Sequence, residues 1–297
     1  MMIRFLLCGL VVFSLSVVGY SIYFMNNIRH FSKSVTVEST LDFENLITLE
    51  QSNALDIEPL VRSIPYKMGF SYIVDPSKKY ERAILNGVGD CSNFSFGLAY
   101  LLEKKEIDYS IIHFIRVDGG LIGPGHVSLQ TVYEYKGKRY SGVIDLLEGG
   151  IPSKEQAFLK FEDLTHEGVK NFTITSLNDS HDQFSMYYQD DFLSNSIVGA
   201  MISEEVESYF VFLDKYYIDL GNEKIEKYVF DLAAVIFGKY PKIYVARNSY
   251  VKLFDEHKLV VFYANLILWL MRFIPLMGII LVLTIGFKII VGKTVSK

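Results

Sequence analysis

The sequence predicts an α+β domain with flanking transmembrane helices, and three observations carry that reading. A Gly-x-Gly-Asp turn runs into a cysteine that opens a helical pattern, GVGDCSNFSFGLAYLL at residues 87–102. Strand-like runs follow it at 108–117, 126–135 and 139–147. Long apolar stretches stand near both ends of the 297-residue chain, which is 50% hydrophobic.

The helix from Cys91 to Lys105 is the best-marked element. Phe94, Leu98, Leu101 and Leu102 recur at helical spacing, and Asp90 stands where an N-cap accepts from orphan N–H groups. DYSIIHFIRV is β-branched and apolar, HVSLQTVYEY alternates, and RYSGVIDLL follows after Lys136, Gly137 and Lys138, which have the chemistry of a hairpin connection. Gly119, Gly120, Gly123, Pro124 and Gly125 make a loop just before His126. Upstream, residues 34–65 read as a linker entering a first helix or two, punctuated by Pro65. Beyond Pro152 the pattern weakens through residue 185. Then Ile202, Val206, Phe210 and Leu213, followed by Ile225, Val229, Leu232 and Ile236, set out two amphipathic helices packed beside the core.

Residues 5–25 carry no formal charge, and such a run suffices for a helix crossing a hydrocarbon layer of about 30 Å. No small-x-small cleavage pattern follows, so the run reads as an uncleaved anchor rather than a secretory signal. Cys8 within it reads as a small apolar residue facing lipid. Residues 259–291 are apolar apart from Asn265, Arg272 and Lys288. Arg272 and Pro275 divide that run into an interfacial or core-packed helix carrying Trp269 and a span from about Phe273 to Val291; a tight helical hairpin is the alternative. Lys288, Lys293 and Lys297 lack acidic partners, whereas Lys252 and Lys258 are offset by Asp255 and Glu256. The tail is therefore expected in the cytoplasm, as is the N-terminus, with the central region on the outer face of a bacterial inner membrane and the lipid bilayer as a partner. The expected divisions are 1–27 anchor, 28–65 linker and first helices, 66–185 the α+β domain, 186–258 helical extension, and 259–297 C-terminal membrane region and basic tail.

A net charge of −5 without a basic stripe excludes the usual nucleic-acid partners. With Cys8 in the anchor, Cys91 is the one thiol of the outer domain, and no internal disulfide is expected there.

A thiolate is the nucleophilic form of cysteine, and the positive end of a helix favours it. Taken alone, Cys91 reads as a buried structural residue beside Phe94 and Leu98. Its partners shift the balance. His126 opens a strand 35 residues later, and Asp145 lies 19 residues beyond it at the end of the next. His126 is placed to take the Cys91 proton, and Asp145 to fix the imidazole tautomer and stabilise its charged form. A hairpin turning at Gly137 does not set 126 directly opposite 145, so a bulge or a diagonal contact is expected between them.

GDCSNFSFGLAYLLEKKEIDYSIIHFIR followed by GHVSLQTVYEYKGKRYSGVIDLL resembles the transglutaminase-like superfamily of cysteine enzymes, over roughly residues 80–150. The resemblance implies a papain-like core within 66–185, with Cys91 as nucleophile, His126 as base and Asp145 as orienting acid. It implies acyl transfer or amide hydrolysis without a cofactor. Many members carry an aromatic two positions after the histidine and a proline after the aspartate; here those positions are Ser128 and Leu146. Asp90-Cys91-Ser92 with Gly125-His126-Val127 is also similar to bacterial cell-wall peptidases, although their third polar group usually stands closer behind the histidine.

With anchors at both ends, the expected substrate is a peptide, protein or envelope glycoconjugate near the membrane. A binding or assembly module that retains the fold without catalysis is the alternative, and a soluble scaffold for the membrane helices a third. Cys91, His126 and Asp145 are all zinc-type ligands, but no second cysteine or close histidine pair accompanies them, and no metal is expected. His113, among Ile111, Ile112, Phe114 and Ile115, reads as a core or strand-face residue, and His181 as solvated. A glycan at the Asn93 sequon would crowd Cys91, which favours a bacterial envelope over a secretory lumen.

Overall fold

Asp90 decides where the principal helix starts. Its side chain accepts the Asn93 N–H at 2.8 Å while the Asn93 side-chain oxygen accepts the Asp90 N–H at 3.0 Å, a reciprocal capping box. Asn93 is buried, its side chain committed to this cap.

The computed structural model describes residues 36–40, 53–69, 71–116, 125–155, 157–165, 172–178 and 185–247, with isolated positions between 249 and 273. In chain order these form β1 (Val37–Thr40), β2 (Leu55–Asp56), α1 (Ile57–Ser63), β3 (Lys67–Met68), α2 (Pro76–Tyr80) with a π-helical turn at Glu81–Leu85, β4 (Val88–Gly89) and α3 (Cys91–Lys104). Then come β5 (Tyr109–Arg116), β6 (His126–Tyr135), β7 (Lys138–Ile144), β8 (Gly150–Lys154), β9 (Ala157–Phe158), α4 (Phe161–Thr165) and β10 (Thr173–Ser176). A 3-10 turn at Ser185–Tyr188 leads to α5 (Asp190–Leu193), β11 (Ser196–Ile202), α6 (Ser203–Tyr216), α7 (Glu223–Ile236) and β12 (Ile243–Ala246). The architecture is α+β with mixed sheets.

The main sheet has the order β1-β12-β11-β5-β6-β2, with β7 pairing the far side of β6. Pairings at its centre are antiparallel, while β1 joins β12 and β2 joins β6 in parallel. Alternation along the strands sends side chains to two cores. Ile111 and Ile115 of β5 join Ile197 and Met201 of β11 in the larger one, with Phe94, Leu98 and Leu102 of α3 and Val206, Phe210 and Leu213 of α6. Ile112, Phe114, Val143, Val198 and Ala200 face the other way, onto Phe161, Phe172, Tyr188 and Phe192.

The β6–β7 hairpin fixes the register that matters for the site. Lys136 and Gly137 both adopt positive φ, 50° and 69°, as a type I′ turn requires. Tyr135 then pairs with Lys138 and Leu129 with Ile144. Asp145 consequently comes level with Ser128, two residues from His126 and on the same face. The diagonal contact reconciles the two positions without a bulge.

Asp145 is held from its other side by Gly150: the two exchange backbone hydrogen bonds, both at 3.0 Å. A Cβ on Gly150 would lie 2.4 Å from the Thr175 carbonyl oxygen of β10 and 2.6 Å from the Ile174 side chain. The Gly150→Ala chain is therefore expected to lose about 1–3 kcal/mol, read as a lower denaturant midpoint at unchanged m-value.

Two expectations are corrected. Among the described residues no helix is long and apolar enough to cross a membrane, so the flanking transmembrane helices are not supported. Residues 5–25 lie outside the described residues, as does most of 259–291. Where that C-terminal run is described it meets the domain: Ala264 and Leu268 are buried, and the Arg272 guanidinium donates to the Ile236 and Val235 carbonyls at 2.9 and 3.2 Å, closing the end of α7. The placement in a bacterial inner membrane with both termini cytoplasmic, and the lipid partner, are set aside with the helices. Second, within residues 186–258, expected as a helical extension, β11 follows α5 and pairs with β5 over its whole length in the middle of the main sheet.

Candidate active site

Three element ends converge on one point. Cys91 is the first residue of α3, His126 the first of β6, and Asp145 follows the last residue of β7. Regular structure thus carries each group to a tip, where its side chain leaves the packed ladder.

His126 is 1% exposed, and its Nε2 hydrogen-bonds Oδ2 of Asp145, itself 1% exposed. A carboxylate only accepts, so the imidazole proton stands on Nε2, and Nδ1 is the ring atom left for Cys91. Nδ1 is buried without a well-aligned hydrogen bond; catalytic contacts of this kind are commonly loose before a substrate arrives. Burial alone would lower the His126 pKa. The charge and hydrogen bond of Asp145, with a side-chain interaction and charge from Cys91, outweigh it and push the pKa up to about 10. The favoured state is an imidazolium between two groups that carry or can carry negative charge.

Asp145 is fully engaged. Its Oδ2 also accepts the Tyr188 hydroxyl at 2.7 Å, and its Oδ1 accepts the Glu148 N–H at 3.1 Å. Such coordination holds the buried carboxylate in one orientation. Burial and then Asp145 hold the Tyr188 hydroxyl well above its ordinary pKa, and the same causes raise Tyr66, so both stay neutral beside the carboxylate. Glu148 is completely buried in the same neighbourhood, close enough to raise Tyr187 and Tyr188 as well.

Aromatic rings close the pocket around the imidazole. Phe114, opposite His126 on β5, lies 5.6 Å from it centroid to centroid, Tyr188 stands edge-on at 6.1 Å, and Tyr187 stacks on it at 3.9 Å and 6°. Cys91 itself is partly exposed and packs against the larger core, so solvent reaches the sulfur side of the site while the His126–Asp145 pair is sealed. The backbone N–H groups of the first turn of α3 have no partner within the helix, and that of Cys91 is adjacent to the sulfur.

All three residues singled out in the sequence are thus neighbours. His113 is a buried residue of β5, paired with Val127; His181 lies outside the described residues. Tyr66, Glu148, Tyr187 and Tyr188 were not legible. Tyr187 and Tyr188 arrive on the 3-10 turn, 43 residues beyond Asp145 in the case of Tyr188, and no local periodicity marks them. Among the described residues no group of three or more His, Cys, Asp or Glu is arranged to hold a metal ion.

No family model, curated protein or solved structure matches the chain.

Proposed function

We propose that the protein is a cysteine-dependent acyltransferase or amidase of transglutaminase-like type, acting on a carboxamide of a peptide, protein or glycoconjugate. The observation that carries this reading is the buried His126–Asp145 pair, whose remaining imidazole nitrogen is left for a cysteine at a helix N-terminus. A structural cysteine has no need of such a partner.

In the mechanism, the Cys91 thiolate attacks the carbonyl carbon, forming a C–S bond and moving the π electrons onto oxygen. The Cys91 N–H, at the positive end of α3, faces the developing oxyanion. Collapse expels the amine, which takes the proton from His126 and leaves a thioester on Sγ. An incoming amine or water then gives a proton to His126, attacks the thioester and releases Cys91 as thiolate. Asp145 holds the ring throughout and stabilises its charged form.

The test uses a p-nitrophenyl ester, whose leaving group needs little acid assistance. The expected result is a burst of nitrophenolate matching the enzyme concentration, with one acyl group found on Cys91 by peptide mass spectrometry. Added primary amine should accelerate turnover if the protein is a transferase and leave it unchanged if water is the acceptor. Equal acylation of the Cys91→Ala chain would discard the reading.

A further inference from the structure

Resting on that reading, we infer that Tyr187 is a positioning residue for the proposed base, its ring clamping the His126 imidazole in the plane that points Nε2 at Asp145 and Nδ1 at Cys91. The near-parallel stack, 3.9 Å between centroids and 6° between planes, covers one face of the imidazole. Tyr187 is itself only partly buried, so it forms the wall between His126 and solvent.

The wall is braced from behind. Phe192 of α5 meets Tyr187 at 5.1 Å and 79°, an edge-to-face contact, and also packs on Phe114 at 6.3 Å. Tyr188, the next residue, is anchored by its hydroxyl to Asp145. One 3-10 turn therefore holds both members of the pair: Tyr188 fixes the carboxylate and Tyr187 the ring that hydrogen-bonds it. Adjacent residues on such a turn diverge by about 120°, so the two side chains reach different members of the pair.

The stack has an electrostatic consequence as well. A phenol face carries negative quadrupole density, which favours a cationic ring lying against it. The Tyr187 hydroxyl adds no competing charge, since burial first and then Cys91, Glu148 and Asp145 hold it protonated. The ring face rather than the hydroxyl is the working part, so phenylalanine should replace it and alanine should not.

Two readouts on the full-length chain separate this inference from the catalytic reading. The first is proton NMR of the downfield His126 Nε2–H, visible only while the hydrogen bond to Asp145 is shielded from exchange with water. It is expected in the wild type and Tyr187→Phe, and lost in Tyr187→Ala, with all three showing the same cooperative melt. The second is Cys91 alkylation by iodoacetamide at pH 6, expected about tenfold slower in Tyr187→Ala and within about twofold of wild type in Tyr187→Phe, as the loss of a desolvated cation–π contact implies. An Nε2–H signal that persists in Tyr187→Ala overturns the inference, whatever the thiol does. Loss of that signal without any His126-dependent alkylation in the wild type upholds the clamp and removes the catalytic reading.

Discussion

Alkylation of Cys91 by iodoacetamide at pH 6 slows by roughly one to two orders of magnitude when His126 is replaced by alanine. An isolated thiol titrates near 8.5, so roughly one in three hundred is thiolate at that pH. In the native chain the neighbouring imidazole is pushed up to about 10, which keeps a cation beside the sulfur across the neutral range. A cation so placed stabilises negative charge on the attacking sulfur. Mass spectrometry of the alkylated peptide measures the rate at Cys91 alone. Identical rates in the two chains at pH 6 would mean that His126 does not act on the sulfur, and the proposed enzyme would have to be abandoned.

Asp145→Ala is expected to destabilise the fold by about 3–5 kcal/mol, because it strips the partner from a buried imidazolium. It also strands the Tyr188 hydroxyl and the Glu148 N–H, both of which donate to that carboxylate. The pH dependence identifies the cause. His126 titrates near 6.5 in an unfolded chain and at about 10 in the folded one. Between those values the native state holds a proton that the unfolded state has lost. Its stabilising contribution is therefore complete below pH 6.5, declines as pH rises, and is gone once pH passes the folded value. Without Asp145 the charge that raised the pKa disappears while the burial that lowers it stays, and the decline should flatten or reverse. Urea unfolding at pH 6, 8 and 10 measures this slope in both chains; parallel curves would show that the pair contributes nothing to it.

How far the sequence could be read depended on whether the signal was local. The Asp90 cap and the three-and-four spacing of Phe94, Leu98 and Leu102 placed α3, since both depend only on neighbours within a turn or two. The Lys136-Gly137 turn placed the hairpin for the same reason. β11 was hidden because a strand in the centre of a sheet is buried on both faces and shows no alternation; SIVGAMI runs straight into α6, whose apolar spacing was extended back to Ile202. In α7 the apolar stripe misled. Ile225 and Val229 are 52% and 39% exposed, whereas Glu226 and Asp231 are buried. Those acids are satisfied from outside the helix or along it: Glu226 by the Tyr217 hydroxyl and the Leu220 N–H, Asp231 by the Tyr209 hydroxyl and Lys227. Hydrogen bonding of that kind reverses the ordinary preference for burying the apolar side and leaves no trace in the pattern. The site followed the same division. Cys91, His126 and Asp145 stand at element ends that local rules can place, while Tyr187 and Tyr188 reach it through the tertiary fold.

The pairing of β1 with β12 joins Val37–Thr40 to Ile243–Ala246, so one edge of the main sheet is completed by segments from opposite ends of the described chain. During synthesis the β6–β7 hairpin, with His126 and Asp145 at its open end, can form as soon as it emerges, because its strands are joined by a two-residue turn. The sheet edge cannot. Until residue 246 leaves the ribosome, β11 has no neighbour on its outer side and presents an apolar strand edge to whatever is near. A topology weighted toward such distant pairings folds slowly, and a nascent chain paused before β12 would be a client for chaperones that bind exposed strands.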